Sequence, residues 1–254
     1  MDRAETESAT DLTYSALTDV GLRRANNQDS YSVVLADSEQ LWEERGHFFM
    51  VADGMGAHAA GEMASKLATD GVPHSYHKAA GIEAPDALRQ AIVAANADIH
   101  GRGQANADFQ GMGTTCSVLI ILPEGAICGH VGDSRVYRQR GNRLDQLTFD
   151  HSLVWEMQAT GQIPKGKVPE HIPKNVITRS LGPNAEVKVD LEGPHTIEVG
   201  DMFMLCSDGL TGPVTNEEIG TILSCLDPEE AARVLVDLAN LRGGPDNITT
   251  IVVR

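Results

Sequence analysis

Apolar residues in this chain gather in short runs that stop abruptly at polar turns. Phe48, Phe49, Met50 and Val51 form one run, which breaks at Asp53-Gly54. Residues 114–122 are β-branched and apolar and turn at Pro123-Glu124-Gly125; residues 126–131 follow and break at Gly132-Asp133. Residues 135–139 turn at Gly141-Asn142 into 143–147. Turns this short leave no room for crossover helices, so the runs predict an antiparallel meander rather than a parallel βαβ sheet. Further strands are expected at 202–206, before Ser207-Asp208-Gly209, and at 248–253.

Helical periodicity predicts helices at 60–69 and at 86–100, the second with Leu88, Ile92, Ala95 and Ile99 on one face. Thr215 and Glu218 make a capping box ahead of Ile219, Ile222, Leu223 and Leu226. Asp227 then caps a helix that has Pro228 at its first position and Glu229 and Glu230 in its first turn. Val234, Leu235, Leu238 and Leu241 form its expected buried stripe, and Gly243-Gly244 ends it. Helices with one buried face beside strand-rich segments imply an α+β fold in which helices cover stacked antiparallel sheets. Residues 150–181 carry Gly161, Gly166, Pro164, Pro169 and Pro173 with little periodicity, and read as a flap or small subdomain set into the sheets. Residues 1–11 read as a mobile leader, and 12–254 as a single domain without repeats or linkers.

Charge narrows the class. The 254 residues are 41% hydrophobic, enough for a sizeable core. The balance of 20 basic against 36 acidic side chains gives −16, which repels nucleic acid and anionic lipid. Cys116, Cys128, Cys206 and Cys225 form no CxxC pair, and the first three lie in apolar runs, so buried free thiols are expected rather than a zinc site. The N-terminus has no signal-like apolar region, and no apolar stretch approaches the ~20 residues of a membrane span. The expectation is a cytoplasmic monomer that engages neither membrane nor nucleic acid.

The candidate chemistry lies at the strand ends. Val51-Ala52-Asp53-Gly54, Val131-Gly132-Asp133 and Cys206-Ser207-Asp208-Gly209 each end an apolar run at an aspartate beside glycine. Gly243-Gly244-Pro245-Asp246-Asn247 precedes the last run, and Asp29 follows an Arg-rich turn, 23–28. Asp-Gly is a common turn dipeptide, which is one reading of each. The other is an acidic site for Mg²⁺ or Mn²⁺, hard cations that take carboxylate, carbonyl and water oxygens; glycine would let the backbone approach the ion.

Eight segments bear on that choice: Gly21-Leu22-Arg23-Arg24-Ala25-Asn26-Asn27-Gln28-Asp29, Val51-Ala52-Asp53-Gly54-Met55-Gly56, Met112-Gly113-Thr114-Thr115, Gly132-Asp133-Ser134-Arg135, Asp150-His151-Ser152, the 175–182 stretch around Thr178-Arg179-Ser180, Cys206-Ser207-Asp208-Gly209-Leu210, and Gly244-Pro245-Asp246-Asn247-Ile248-Thr249. In this order they resemble the metal-dependent protein phosphatases, the type 2C serine/threonine phosphatases in their bacterial form, over about residues 12–254.

The resemblance implies a four-layer α/β/β/α sandwich and hydrolysis of phosphoserine and phosphothreonine in proteins, opposing serine/threonine kinases. It implies two tightly held Mn²⁺ or Mg²⁺ ions and a third, weaker one, with a metal-bridged hydroxide as nucleophile. Asp53 would bridge the pair and Gly54 would offer it a carbonyl, while Asp208 and Asp246 complete it. Asp133 and Asp208 match the positions that hold the third ion. Arg24 matches the phosphate-gripping arginine, with Arg23 beside it as the alternative, and Asp29 matches a carboxylate that orients metal-bound water.

Three departures qualify the match. Met55 stands where animal members place a histidine, and His58, three residues on, is the candidate general acid or a surface histidine beside a helix start. Ala57 and Ala60 replace family glycines. Lys165-Gly166-Lys167 is basic where many relatives are acidic, a selector of acidic phosphopeptides or plain loop decoration. A phosphohydrolase of small phosphoesters on the same fold is the second functional reading, and an inactive phosphoprotein-binding relative is the third.

Overall fold

In the computed structural model, residues 12–57, 59–164, 168–169, 171–173 and 175–254 are described. The leader 1–11, His58 and Lys165-Gly166-Lys167 lie outside them. The strands in chain order are β1 (Tyr14–Asp19), β2 (Asp29–Val34), β3 (His47–Met55), β4 (Gly113–Thr114), β5 (Cys116–Leu122) and β6 (Gly125–Val131). They continue with β7 (Arg135–Arg140), β8 (Arg143–Gln146), β9 (Asp190–His195), β10 (Met202–Cys206) and β11 (Ile248–Val253). The helices are α1 (Glu39–Glu44), α2 (Ala60–Lys78), α3 (Ala84–Ala105), α4 (Leu153–Ala159), α5 (Asp208–Thr211), α6 (Asn216–Cys225) and α7 (Pro228–Leu241).

Side chains on a strand alternate between faces, and both faces of the central strands are apolar. Phe48, Met50 and Ala52 of β3 pack with Ala64, Val72, Leu88 and Ile92 of α2 and α3. Phe49 and Val51, on the other face, meet Phe203 and Leu205 of β10 and Ile251 and Val253 of β11. Met202, Met204 and Cys206 of β10 face α6 and α7 through Ile219, Leu223 and Leu235. Three apolar layers thus separate four structural ones, and the expected α/β/β/α sandwich follows. One sheet runs β2-β3-β5-β6-β9, with β4 paired to the end of β3; the other runs β1-β11-β10-β7-β8. Every pairing is antiparallel.

The expected meander is divided. β5–β6 and β7–β8 are hairpins in different sheets, and the chain changes sheet at Gly132-Asp133-Ser134. The run at 48–51 does not stop at Asp53-Gly54; β3 continues, and Gly54 and Met55 pair with Thr114 and Gly113. α2 runs through Gly71 and Pro73 to Lys78, because Val72 and Tyr76 bury themselves in the core. The α7 stripe is partly rotated from expectation. Leu235 is buried and Leu238 packs against the core as expected, but the stripe continues through Ala231, Ala232, Val236 and Ala239, whereas Leu241 is 85% exposed and Val234 36%. The capping box at Thr215 and the Asp227 cap form as expected, and Cys116, Cys128 and Cys206 are buried free thiols while Cys225 is exposed. Among the described residues no helix is long and apolar enough to cross a membrane.

Leu235→Ala should cost about 2–5 kcal/mol of stability, and Leu241→Ala no more than about 0.5 kcal/mol. Denaturant unfolding of the two variants checks the rotated stripe; equal losses would restore the sequence-based one.

Candidate metal centre

Asp53 lies inside β3 with its main chain held on all sides. Its N–H donates to Thr115 Oγ1 at 2.8 Å, and its carbonyl accepts from Thr115 N–H and Thr114 Oγ1, each at 2.9 Å. This explains the Gly-Thr-Thr segment, which sequence reasoning singled out without a role: it fixes the strand on which Asp53 sits. Asp29 is the direct cross-strand partner of Asp53 in the β2–β3 ladder. Like charges placed opposite each other destabilise a sheet, so this pair works against the fold. Ser207 Oγ, at the end of β10, donates to Asp29 Oδ2 at 2.7 Å and holds it in place. Asp208 is the next residue and opens α5. Asp246 sits in the loop before β11, where its Oδ2 accepts from Arg24 at 2.6 Å.

The glycines beside two of these aspartates have a reason other than the expected one. A Cβ on Gly54 would come within 2.1 Å of the Gly61 carbonyl oxygen, and one on Gly209 within 1.9 Å of the Asn247 carbonyl oxygen. Glycine is required because a second stretch of backbone crosses there. Neither Asp-Gly pair is a turn: one continues β3 and the other starts α5.

Arg24, Asp53, Gly54, Asp208 and Asp246 line one cleft of about 330 Å³, together with Gln28, Met55, Gly56, Asn175 and Ile177. Of the two adjacent arginines, Arg24 is the one that lines it. Gln28, Asn175 and Ile177 lie in segments that carried the family resemblance but were assigned no role there; the last two belong to the segment read as a flap. Asp133 is not among the residues that line this cleft; it is nearly buried, its charge raises Asp53, and the charge of Asp208 raises it.

Burial first, and then the neighbouring carboxylates, push these groups up. Asp29 is raised to about 6 by burial, with Ser207 and Thr249 opposing and Asp208 and Asp246 adding. Asp133 is raised to about 7 by burial and by Asp208 and Asp150. Asp53 is driven well above the carboxylate range by burial and by the charges of Asp29, Asp208, Asp133 and Asp246, and Asp208 rises through burial and Asp246. Oδ1 of Asp133 and Oδ1 of Asp208 are buried with no hydrogen-bond partner, an expensive arrangement unless a cation meets them. Among the described residues, no three acidic, histidine or cysteine side chains stand close enough to cage an ion by themselves. The two unpartnered oxygens are what a hard divalent cation would meet, with water completing its shell. The residues present therefore fit a hard divalent cation.

Comparison with known proteins agrees. A family model described as Protein phosphatase 2C matches residues 23–239. The chain is 38% identical over 244 residues to Protein phosphatase PhpP of Streptococcus pneumoniae, covering 94% of this chain and 96% of the relative. The crystal structure of the serine/threonine phosphatase PstP/Ppp of Mycobacterium tuberculosis superposes with a TM-score of 0.84 at 35% identity, covering 95% and 97% of the two chains. A structure of the PstP catalytic domain in complex with two manganese ions matches at TM-score 0.79 and 34% identity, covering 95% and 97%.

Raised carboxyl groups bind protons more tightly in the folded state than in the unfolded one. Their contribution to stability is therefore complete below about pH 4 and is lost as pH rises through the folded values near 6 and 7. A cation that binds the deprotonated groups offsets that loss. Mn²⁺ should raise the melting temperature of chelator-treated protein, and by more at about pH 8 than at about pH 5.5. A shift independent of pH in differential scanning fluorimetry would detach Asp29 and Asp133 from the cation site.

Proposed function

The chain belongs to the protein phosphatase 2C family, and from that premise we propose how its cleft divides the labour of the family's reaction. That reaction is metal-dependent hydrolysis of phosphoserine and phosphothreonine in proteins, with Mn²⁺ or Mg²⁺ as cofactor. The observation that carries the residue-level reading is the convergence of Asp53, Asp208 and Asp246 with Arg24 on one cleft, backed by carboxylate oxygens that have no partner in the protein.

In this reading Asp53, Asp208, Asp246 and the Gly54 carbonyl hold a pair of ions, and Asp133 with Asp208 holds a third, weaker one. Bound ions supply Lewis acidity and lower the pKa of water, so no protein nucleophile is needed. Arg24 uses one N–H on Asp246 and has others for phosphate oxygens, a geometry suited to its planar guanidinium. Asp29, held by Ser207, orients water at the edge of the site. His58 is the candidate general acid, with a surface histidine beside a helix start as the alternative. Substrates are phosphoproteins made by a serine/threonine kinase, and the chain acts on them as a monomer. Three buried free thiols fit the reducing cytoplasm.

Asp53→Asn should lower turnover by about 10³-fold or more, as should excess chelator, since each removes the cation pair. Full activity in chelator would overturn the scheme. Arg24→Ala should raise KM for a phosphoester more than it lowers kcat; an unchanged KM in correctly folded protein would remove Arg24 from phosphate binding. Phosphopeptides should exceed free phosphoserine in kcat/KM by about tenfold or more. Equal values would favour the small-phosphoester reading.

A further inference from the structure

The loop that carries Asp133 is gripped from both sides by side chains to which the scheme above gives no role. On one side His151 makes two bonds to a single residue. Its main-chain N–H donates to the Gly132 carbonyl at 2.7 Å, and the Gly132 N–H donates to His151 Nδ1 at 2.9 Å. On the other side Ser117 Oγ donates to the Ser134 carbonyl at 2.9 Å, and the Ser134 and Thr115 hydroxyls are 2.8 Å apart. Thr115 is the residue that accepts the Asp53 N–H. Asp133 stands between these grips, 8% exposed, with Oδ1 unpartnered.

The His151 ring also faces the other way. An Nδ1 that accepts a hydrogen bond carries no proton, so the ring proton sits on Nε2. Nε2 donates to Asp190 Oδ2 of β9 at 3.0 Å. Arg179 Nη1, 2.9 Å from the same Nε2, finds its acceptor in Asp190 Oδ1 at 2.9 Å. The His151 carbonyl accepts from Thr178 N–H at 2.8 Å, and Ser152 pairs with Ile177 in an isolated bridge. The His130 ring lies 4.8 Å from the His151 ring, with Nε2 on the Phe149 carbonyl and Nδ1 by Ser117 Oγ. One imidazole therefore ties together the Gly132–Asp133 loop, β9 and both ends of the 150–181 segment.

We propose that His151 is a positioning residue that, anchored by Asp190, joins the Asp133 loop to the base of the 150–181 segment as one unit. Asp133 is then aimed only while that segment is seated, and substrate contacts made by the segment reach the ion site through this imidazole. The inference rests on the assignment of Asp133 as a ligand of the weak ion. Histidine is suited to the post because it has an acceptor and a donor on opposite sides of a rigid ring. Asparagine can replace only the first and glutamine only the second.

That asymmetry supplies the test. His151→Gln should lower kcat on an aryl phosphate by about tenfold or more, with KM within about twofold, and shift the Mn²⁺ activation midpoint upward. In the metal-free protein, the Gly132 and Thr178 amides should exchange faster together, by about tenfold, in NMR hydrogen exchange. His151→Asn, which loses only the Asp190 anchor, should keep at least about half the wild-type kcat and speed Gly132 exchange by no more than about threefold. Equal losses in the Asn and Gln variants, or normal kcat with a normal Gly132 amide in the Gln variant, overturn the proposal. If His151→Gln does not fold, Asp190→Asn must show the same paired changes in smaller measure, and unchanged exchange and activation there overturn it as well. Asp133→Ala separates the two readings. If that variant leaves the Mn²⁺ activation curve unchanged, the ligand assignment fails; if it shifts the curve and His151→Gln does not, the coupling fails.

Discussion

Mutual repulsion among buried carboxylates is the constraint around which the rest of this molecule is arranged. Asp29, Asp53, Asp133 and Asp208 are raised by burial and by neighbouring carboxylates, the charge of Asp246 among them, and Asp29 and Asp53 face each other across a β-ladder. At an effective dielectric constant of about 20, two unit charges 4 Å apart repel by roughly 4 kcal/mol, against a total stability of about 5–15 kcal/mol. Asp29 and Asp53 lie within strands, Asp208 follows β10 at the start of α5, and Asp133 and Asp246 sit in loops tied directly to buried strands between apolar layers, so separating the charges would require disrupting the core.

Much of the polar structure near the cleft serves that containment. Thr114 and Thr115 hold the Asp53 main chain, Ser207 holds Asp29, and Arg24 meets Asp246. Where two backbones must cross to bring the carboxylates together, glycine is the only residue that fits, as at Gly54 and Gly209. These positions have one purpose in common. They let chain segments far apart in sequence approach more closely than side chains would allow.

Function then divides along the same line. In the proposed scheme the ends of braced strands would hold the cations, while the less regular 150–181 segment contributes Asn175 and Ile177 to the cleft lining, where substrate chain would pass. The chain is strongly acidic as a whole, yet the residue proposed to meet phosphate is an arginine. Bound cations would supply the rest of the positive charge, so that an acidic protein can act on an anionic substrate.

The sequence by itself determined the elements whose signals are local. β10 and β11 appear at the expected residues, as do the Thr215 capping box and the Asp227 cap, because buried central strands and helix caps are written in consecutive side chains. The aspartates were legible too, since each abuts an apolar run. Short helices α1, α4 and α5 were missed, and the missed strands are alike in kind: β1, β2 and β9 are all edge strands, half-exposed and mixed in composition, and β9 contains Gly193-Pro194. An edge strand exists because a neighbour pairs with it, and that neighbour may be hundreds of positions away, as Val253 is from Tyr14. Only the tertiary structure decided that the runs at 114–131 and 135–147 belong to different sheets, that the Asp-Gly pairs are not turns, and that Arg24 rather than Arg23 lines the cleft. Each depends on which distant backbone lies opposite, a quantity fixed by packing three apolar layers at once and not by any local run of residues.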